Sequence, residues 1–308
     1  MKNELTIFIT TYERPNYLIE CLNNLNNQTF KNFKVIILDN SKKDNYSRVV
    51  NNNFNFKLNY KKNKNNIGSV KNIFQAFLWN IDTPYFMIFH DDDLMHKDYI
   101  KYCINKMNSD SEICWIGCNS SKKKLKNNNI KKIKEKIVNK KELILAIFSG
   151  INFTYSSIIY NKNNINKLNI DKYYHEYSII HDRPLIIDFI KDYMKVCIIS
   201  NKFIFYRVHE KQDSKSGILN LTIENQFNLY LFYKKNMERN LNNFIRYNLF
   251  ISNNIISDFY KLNNINKVTL SSYIIRAKNK NIVNNFFPFF FIIGKLYYII
   301  KKILRLLD

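Results

Sequence analysis

The sequence has few cysteines and few acidic residues, and each scarcity limits the classes of protein to which the chain can belong. It has five cysteines among 308 residues, an odd number, and none of them forms a C-x-x-C pair. Neither a disulfide framework nor a zinc motif of the usual spacing is indicated. Cys114 and Cys118 flank an apolar segment predicted to be a buried strand, so we expect core residues rather than metal ligands. No secretory leader precedes the first predicted strand, so we expect reduced thiols in a cytoplasmic protein.

Acidic residues are also scarce. Asp and Glu number 25 against 48 Lys and Arg, which gives a net charge of +23. A positive field of this kind favours a polyanionic partner: nucleic acid, an anionic membrane surface or a phosphorylated substrate. The lysines are spread along the chain without zinc spacing or an RNA-binding signature, so we predict no nucleic-acid partner.

The first part of the chain alternates between two periodicities. Segments 17–25 and 70–79 repeat apolar residues three and four apart, as helices do. These segments lie between short apolar runs, at Leu5–Thr10, Phe33–Asp39, Phe56–Tyr60, Tyr85–His90 and Ile113–Cys118. Their spacing is that of βαβ units, and it predicts an α/β fold with a mostly parallel sheet flanked by helices.

Three polar clusters follow strands of this predicted sheet. Thr10–Arg14 ends the first strand, Asp39 the second and Asp91–Asp93 the fourth. In an open α/β sheet, ligands bind beyond the carboxyl ends of the strands. We therefore expect one site at this edge.

The aspartate triplet suggests a metal site. Three adjacent carboxylates repel one another, and a hard divalent cation that shares its site with substrate phosphates would relieve that repulsion. Alternation along an extended chain points Asp91 and Asp93 to the same side. The alternative is an acidic loop in which Asp93 caps a helix starting near Lys97.

Four segments in this order resemble family 2 glycosyltransferases of the GT-A fold, a Rossmann-like architecture. The resemblance covers about the first 120 residues. The segments are residues 7–15 (IFITTYERP), 27–41 (NQTFKNFKVIILDNS), 66–72 (NIGSVKN) and 89–93 (FHDDD), the last lying where the family carries its D-x-D motif.

The resemblance implies a nucleotide-sugar donor site that depends on Mn²⁺ or Mg²⁺. Asp39 would bind the base, with a simple turn as the alternative, and Lys71 would reach a phosphate unless it is only a solvated helix lysine. The implied donor-binding residues are Thr10, Thr11, Tyr12, Glu13, Asp39, Asn66, Lys71, Asp91 and Asp92. The implied metal ligands are Asp91, Asp93 and His209, with a structural role as the alternative for His209.

The acceptor half would lie further along the chain. His181–Leu185 resembles the acidic motif that supplies the base in inverting members, which makes Asp182 the candidate base, with Glu176 as runner-up. Asp182 is also a natural helix N-cap ahead of Pro184. Arg207 could neutralise diphosphate charge. The Gln-x-x-Arg-Trp segment of processive polysaccharide synthases is absent, which disfavours a polymerising enzyme.

The rest of the chain predicts a helical extension and a basic tail. A lysine- and asparagine-rich stretch at 122–141 is interpreted as a solvated loop or a long insertion, 153–160 as a strand, 195–209 as one or two strands, and 221–263 as helical. We expect a transferase domain at 1–215, with a donor half (1–120) and an acceptor half (150–215), then a helical region (216–285) and a tail (286–308). In that tail, 296–308 projects as a basic amphipathic helix, which favours binding to an anionic membrane. Packing against the protein itself is the alternative.

These observations together predict a metal-dependent, inverting glycosyltransferase of hexosyltransferase type. Its donor would be a UDP-sugar and its acceptor a lipid-linked or bacterial surface glycan, at the inner face of the cell membrane. The alternative is a non-catalytic, membrane-bound partner in glycan assembly that keeps the fold. Donor sugar, linkage and oligomeric state are not predicted.

Overall fold

The computed structural model of the chain describes residues 3–42, 53–125, 132–151, 153–209, 212, 221–266 and 268–293. The strands are β1 (Leu5–Thr11), β2 (Phe33–Asp39), β3 (Lys57–Lys62), β4 (Tyr85–His90), β5 (Leu94–Met95), β6 (Ile113–Ser121), β7 (Glu135–Asn139), β8 (Ile159–Asn161) and β9 (Lys195–Phe205). The α-helices are α1 (Pro15–Asn26), α2 (Ser69–Leu78), α3 (Tyr99–Ser109), α4 (Lys140–Phe148), α5 (Ile170–Tyr177), α6 (Asp182–Asp188), α7 (Ile223–Asn236), α8 (Leu241–Asn266) and α9 (Leu270–Asn279). Residues 287–293 are also helical.

Within the described ranges, nine strands form one sheet in the order β3-β2-β1-β4-β8-β6-β9-β5, with β7 paired to β9. The strands β3, β2, β1 and β4 are all parallel. The strand β8 is antiparallel to both of its neighbours, whereas β6 and β9 are parallel. The predicted α/β architecture with a mostly parallel sheet is confirmed.

The register of the central strands sets which residues meet at the sheet edge. Thr11 lies opposite Asp39 on β2, and Thr10 lies opposite His90 on β4. Both strands flanking β1 therefore end at the level where β1 ends, and the segments that follow them leave the sheet side by side.

Burial explains why these strands form. The chain from Leu5 to Ile9 is fully buried, so β1 has apolar residues on both faces, as expected for a parallel sheet covered by helices. Helix α1 begins with Pro15 in its first turn, where proline needs no amide hydrogen. It buries Leu18, Cys21, Leu22 and Leu25, a single stripe at helical spacing.

Two sequence predictions for this part of the chain were wrong in detail. The segment predicted as a strand at 153–160 contains a 3-10 turn at Tyr155–Ser157, and only Ile159–Asn161 pairs with the sheet. The stretch predicted as a basic loop includes β7, which pairs antiparallel with β9 and buries Val138. This edge strand is short and carries charged residues, Glu135 and Lys136, which protect an open sheet edge but give no strand-like apolar pattern. Cys114 and Cys118 are buried in β6, as predicted.

The chain forms two compact units. Unit 1 comprises residues 1–140, 152–170 and 188–212, and it contains the sheet. Unit 2 comprises residues 141–151, 171–187 and 213–308. Its interior is aromatic: the rings of Phe227 and Tyr273 lie 5.1 Å apart, and those of Phe148 and Phe250 lie 5.0 Å apart. The helical C-terminal region is confirmed.

The tail helix predicted at 296–308 lies outside the described residues. Among the helices that are described, none combines the length and apolar character needed to cross a bilayer.

Candidate functional site

The aspartate triplet lies directly after β4 and is almost completely buried. Asp91 and Asp93 are 0% exposed and Asp92 is 6% exposed. Burying a carboxylate costs several kcal/mol unless cations or hydrogen-bond donors surround it, so the neighbours of these three residues define what the site can do.

Asp91 is held by Thr11, the last residue of β1, and by Arg14, which follows that strand. The Thr11 hydroxyl donates a hydrogen bond of 2.6 Å to Asp91 Oδ2. The Arg14 guanidinium lies 2.8 Å from Asp91 Oδ1. Since Thr11 is the last residue of β1, the β1–β4 pairing itself brings this hydroxyl to the triplet.

One carboxylate oxygen of Asp92 accepts hydrogen bonds from two side chains. Arg14 Nη1 lies 2.9 Å and His209 Nε2 lies 2.8 Å from Asp92 Oδ2. Burial alone would raise the pKa of Asp92, but the charges of His90 and Arg14 and the hydrogen bond from His209 outweigh it and lower the pKa. Asp92 is therefore an anion in this environment.

Asp93 has neutral partners and behaves differently. The Ser156 hydroxyl donates a hydrogen bond of 2.6 Å to Asp93 Oδ2, and the Arg207 amide donates one of 3.4 Å to Asp93 Oδ1. Burial raises the pKa of Asp93 to about 6, with the charge of Asp92 adding to it and that of His90 opposing it. Asp93 is thus the carboxylate of the triplet that would gain most from a nearby cation.

His90, Asp92 and Asp93 form the group that could hold a metal ion. Their potential ligand atoms all lie within 4.8 Å of one another. His90 Nε2 is buried and has no hydrogen-bond partner among the described residues, although buried ring nitrogens are normally paired. One imidazole and two carboxylates suit Mn²⁺, and the carboxylates suit Mg²⁺.

This group differs from the ligands predicted from the sequence. Asp93 is common to both sets, but Asp91 faces Thr11 and Arg14, and His209 donates a hydrogen bond to Asp92. His90, which belongs to this group, was not among the ligands predicted from the sequence. The signal for it was its place as the last residue of a strand whose end carries the triplet.

Two arginines supply the positive charge at this edge. Arg14 bridges Asp91 and Asp92 and also lies 3.3 Å from His209 Nε2. Arg207 Nε donates a hydrogen bond of 3.0 Å to the backbone carbonyl oxygen of Asp92. The Arg207 guanidinium also lies 4.4 Å from the centre of the Tyr17 ring. Arg14 was not among the predicted site residues.

Asp39 ends β2 and is fully buried. Its Oδ1 accepts a 2.8 Å hydrogen bond from the Ser41 amide, which is the turn considered as an alternative from the sequence. Its Oδ2 accepts 2.6 Å from the Tyr60 hydroxyl. These two donors fix the carboxylate in one orientation at the sheet edge.

The chain leaving β1 carries backbone strain. Glu13 has a φ of 54°, in the left-handed region that non-glycine residues rarely adopt. The Glu13 amide donates a hydrogen bond of 2.8 Å to Ser41 Oγ, and Glu13 Oε1 accepts one of 2.8 Å from the Lys42 amide. These bonds join the segments after β1 and β2. Tyr12 is 39% exposed beside them.

Asn66 and Lys71 lie around the start of α2. Asn66 Oδ1 accepts a hydrogen bond of 2.7 Å from Asn40 Nδ2 and one of 2.8 Å from the Gly68 amide. Gly68 has a φ of 82°, which explains glycine at this position. Lys71 is exposed on α2. Asn66 thus links this turn to Asn40, the residue that follows Asp39.

The two candidate bases lie in unit 2. Asp182 is the first residue of α6, with a side chain 33% exposed and one oxygen 3.9 Å from Arg183 Nε. Glu176 lies in α5, and its carbonyl oxygen accepts hydrogen bonds from Asn225 and Asn228 on α7.

The family model described as Glycosyl transferase family 2 matches residues 6–168. An abequosyltransferase of Salmonella typhimurium (RfbV) is 32% identical over 114 residues, which are 35% of this chain and 34% of that protein. The match thus spans about a third of that relative.

Two solved structures share the fold at low sequence identity. S. aureus TarS in complex with UDP-GlcNAc superposes with a TM-score of 0.59 and 14% identity, over 87% of this chain and 77% of that one. The mannosyltransferase PcManGT from Pyrobaculum calidifontis, in complex with GDP-Man and Mn²⁺, gives 0.55 and 10%, over 96% and 85%.

Proposed function

Because the chain belongs to glycosyl transferase family 2, we propose that it transfers a sugar from a nucleotide-diphosphate donor bound at the edge where β1, β2 and β4 end. The observation that carries this proposal is the buried triplet with His90 beside it. Buried carboxylates and an imidazole whose Nε2 has no hydrogen-bond partner among the described residues, next to the carboxyl ends of parallel strands, suit a nucleotide diphosphate and its cation.

The nucleotide would lie along the ends of β1 and β2. Asp39, oriented by Ser41 and Tyr60, would accept a hydrogen bond from a base such as uracil. Tyr12 and the backbone around Glu13 would contact the nucleoside. A UDP-sugar is our proposed donor, and the TarS complex with UDP-GlcNAc provides an example of this donor on the same fold.

His90, Asp92 and Asp93 are the residues we propose as ligands of Mn²⁺ or Mg²⁺, in place of the sequence-based set. Bound there, the cation would neutralise charge on the departing diphosphate. Asp91 has a positioning role in this arrangement, since it orients Arg14 over Asp92. Arg14 and Arg207 contribute positive charge at the same edge.

The acceptor hydroxyl needs a base, and we propose Asp182 for it. Its carboxylate is one-third exposed, so an acceptor could approach it. The carboxylate would take the hydroxyl proton while the acceptor oxygen attacks the sugar carbon. The bond from that carbon to the diphosphate oxygen would break, the nucleotide diphosphate would leave, and this single displacement would invert the carbon. Glu176 stays the second candidate.

A lipid-linked or surface glycan is the acceptor we propose, met at the inner face of the cell membrane. The net charge of +23 supports attraction to an anionic surface. The abequosyltransferase among the relatives is itself a glycosyltransferase. The competing proposal, a non-catalytic partner in glycan assembly, predicts donor binding without turnover.

The decisive test is donor turnover with and without metal. A panel of nucleotide sugars is incubated with the protein, and released nucleotide diphosphate is measured with Mn²⁺ or with a chelator. Asp93→Asn should lower metal-stimulated release by about a hundredfold or more, because it removes a charge of the metal site. Asp192→Asn, a change of the same chemistry at an exposed aspartate of unit 1, should behave as wild type. Equal turnover of Asp93→Asn and wild type, with or without chelator, would refute the metal proposal.

A further inference from the structure

A groove in unit 2 combines apolar and cationic walls. It lies at the end of α7, the turn that follows and the start of α8, and its volume is about 630 Å³. Three cations line it: Lys234, Lys235 and Arg239. The remaining lining residues are Leu231, Met237, Asn240, Leu241 and Phe244. We call this surface the basic groove.

An apolar ridge adjoins the basic groove. It consists of Phe286, Phe289 and Ile292, which are 66%, 61% and 60% exposed. The buried Phe290 connects the two surfaces, because its ring lies 6.2 Å from that of Phe244 in the groove and 5.7 Å from that of Phe289 in the ridge. Leu241, at the groove, is 74% exposed. Large apolar side chains clustered in this way are uncommon on a surface that faces only water.

The charged side chains that line the groove are all cationic. The acidic side chain within the turn, Glu238, is engaged by Lys141 at 3.1 Å. Among the described residues, Lys235 and Arg239 have no ion-pair or hydrogen-bond partner. The Lys234 ammonium donates to the Asn281 carbonyl oxygen, which ties the segment leading to the ridge to the wall of the groove. The groove thus presents free cations beside exposed rings.

We propose that the basic groove and the apolar ridge dock on an anionic phospholipid bilayer. The ridge would enter the interface between headgroups and acyl chains, while Lys235 and Arg239 would bind lipid phosphates. A second copy of this chain is the less suitable occupant, because a face that carries free cations repels its own copy. The proposal extends the proposed function by naming how unit 2 meets the membrane that holds the acceptor, and the binding itself needs no turnover.

The experiment is sedimentation of the full chain with vesicles. Phosphatidylcholine vesicles are compared with vesicles that contain about one-third phosphatidylglycerol, at low salt. Lys235→Glu with Arg239→Glu should weaken binding to anionic vesicles by at least about thirtyfold, since each cation near such a surface contributes roughly fivefold in affinity. Lys278→Glu, at an exposed lysine of α9 outside the groove, is the matched control and should lose fivefold or less.

The ridge is tested separately. Phe286→Ser with Phe289→Ser should reduce binding at least about tenfold to anionic vesicles, because two rings are withdrawn from the interface. Tyr260→Ser removes a ring that is 64% exposed elsewhere in unit 2 and should bind as wild type. Circular dichroism checks that the variants are folded.

Each outcome decides the proposal. Loss of vesicle binding in both double variants, with the controls intact, supports it. Binding of either double variant within twofold of wild type overturns it, and so does equal binding of wild type to neutral and anionic vesicles. A change of oligomeric state in ultracentrifugation, without a change in vesicle binding, would assign the face to a second copy and also overturn it. Release of nucleotide diphosphate from soluble donor should be unchanged in all variants, so failure here is distinct from failure of the proposed reaction.

Discussion

Replacing Arg14 with methionine tests how the buried carboxylates are stabilised without a metal. The Arg14 guanidinium lies 2.8 Å from Asp91 and 2.9 Å from Asp92, and its side chain is only 14% exposed. Removing one partner of a buried ion pair costs about 3–5 kcal/mol, because a charge stays buried without its counterion. Since Arg14 keeps some contact with solvent, we take the lower end, about 3 kcal/mol. For a domain of this size each kcal/mol lowers Tm by roughly 2–4 °C, so we expect a loss of about 6–12 °C.

The assay is thermal unfolding followed by circular dichroism, with chelator and with Mn²⁺. A bound cation should replace part of the lost charge, so Mn²⁺ should raise Tm more in Arg14→Met than in wild type. Arg14→Lys keeps the charge but cannot reproduce the planar guanidinium that contacts both carboxylates. Its Tm should therefore lie between those of Arg14→Met and wild type. Arg246→Met, at an exposed arginine of α8, is the control and should change Tm by less than about 2 °C.

Two results would refute this reasoning. If Arg14→Met unfolds within about 2 °C of wild type in chelator, the carboxylates do not depend on Arg14. If Mn²⁺ stabilises both proteins equally, the cation does not act on the carboxylates that Arg14 neutralises.

Three further predictions concern the donor and acceptor sites. Tyr60→Phe should lower the free energy of unfolding by about 1–3 kcal/mol in urea and weaken nucleotide binding in calorimetry, because Asp39 loses a buried donor; unchanged values in both would contradict this. Asp182→Asn should reduce sugar transfer by about a hundredfold or more at unchanged nucleotide affinity, and near-normal transfer would remove it as the base. Because the pKa of Asp93 is raised to about 6, its proton must leave before the carboxylate binds a cation; Mn²⁺ affinity should be full above pH 7 and about tenfold weaker at pH 5. A flat affinity between these pH values in calorimetry would contradict the assignment of Asp93.

The donor half of the fold could be predicted from the sequence because its strands are buried on both faces. A continuous apolar run such as Tyr85–Phe89 leaves few alternatives to a central parallel strand, and the predicted bounds of β2 and β4 match the observed ones. The meeting of Thr11, Asp39 and Asp91 then follows from the topology, since parallel neighbours end at one edge.

The parts that could not be predicted depend on contacts between distant segments. The bond from Ser156 to Asp93 joins a 3-10 turn to the triplet, and no periodicity marks such a turn. The contact of Arg14 with Asp91, and the lack of a partner for His90 Nε2 among the described residues, underlie the ligand set that we propose. Arg14 lies between the strained backbone at Glu13 and the first residue of α1, and the local sequence does not specify the direction of its side chain.

The buried thiol of Cys21 gives this protein an internal probe of its own sheet edge. Cys21 lies on the inner face of α1, is 0% exposed, and its sulfur lies 3.9 Å from the His90 carbonyl oxygen. Burial, and after it the charges of the triplet, raises the pKa of this thiol, so the reactive thiolate forms only when α1 separates from β4. The rate at which a thiol reagent labels Cys21 therefore measures how often that edge opens. A ligand that bridges β1 and β4 would slow the labelling, and its binding could be followed by chemistry in a part of the molecule that it does not touch.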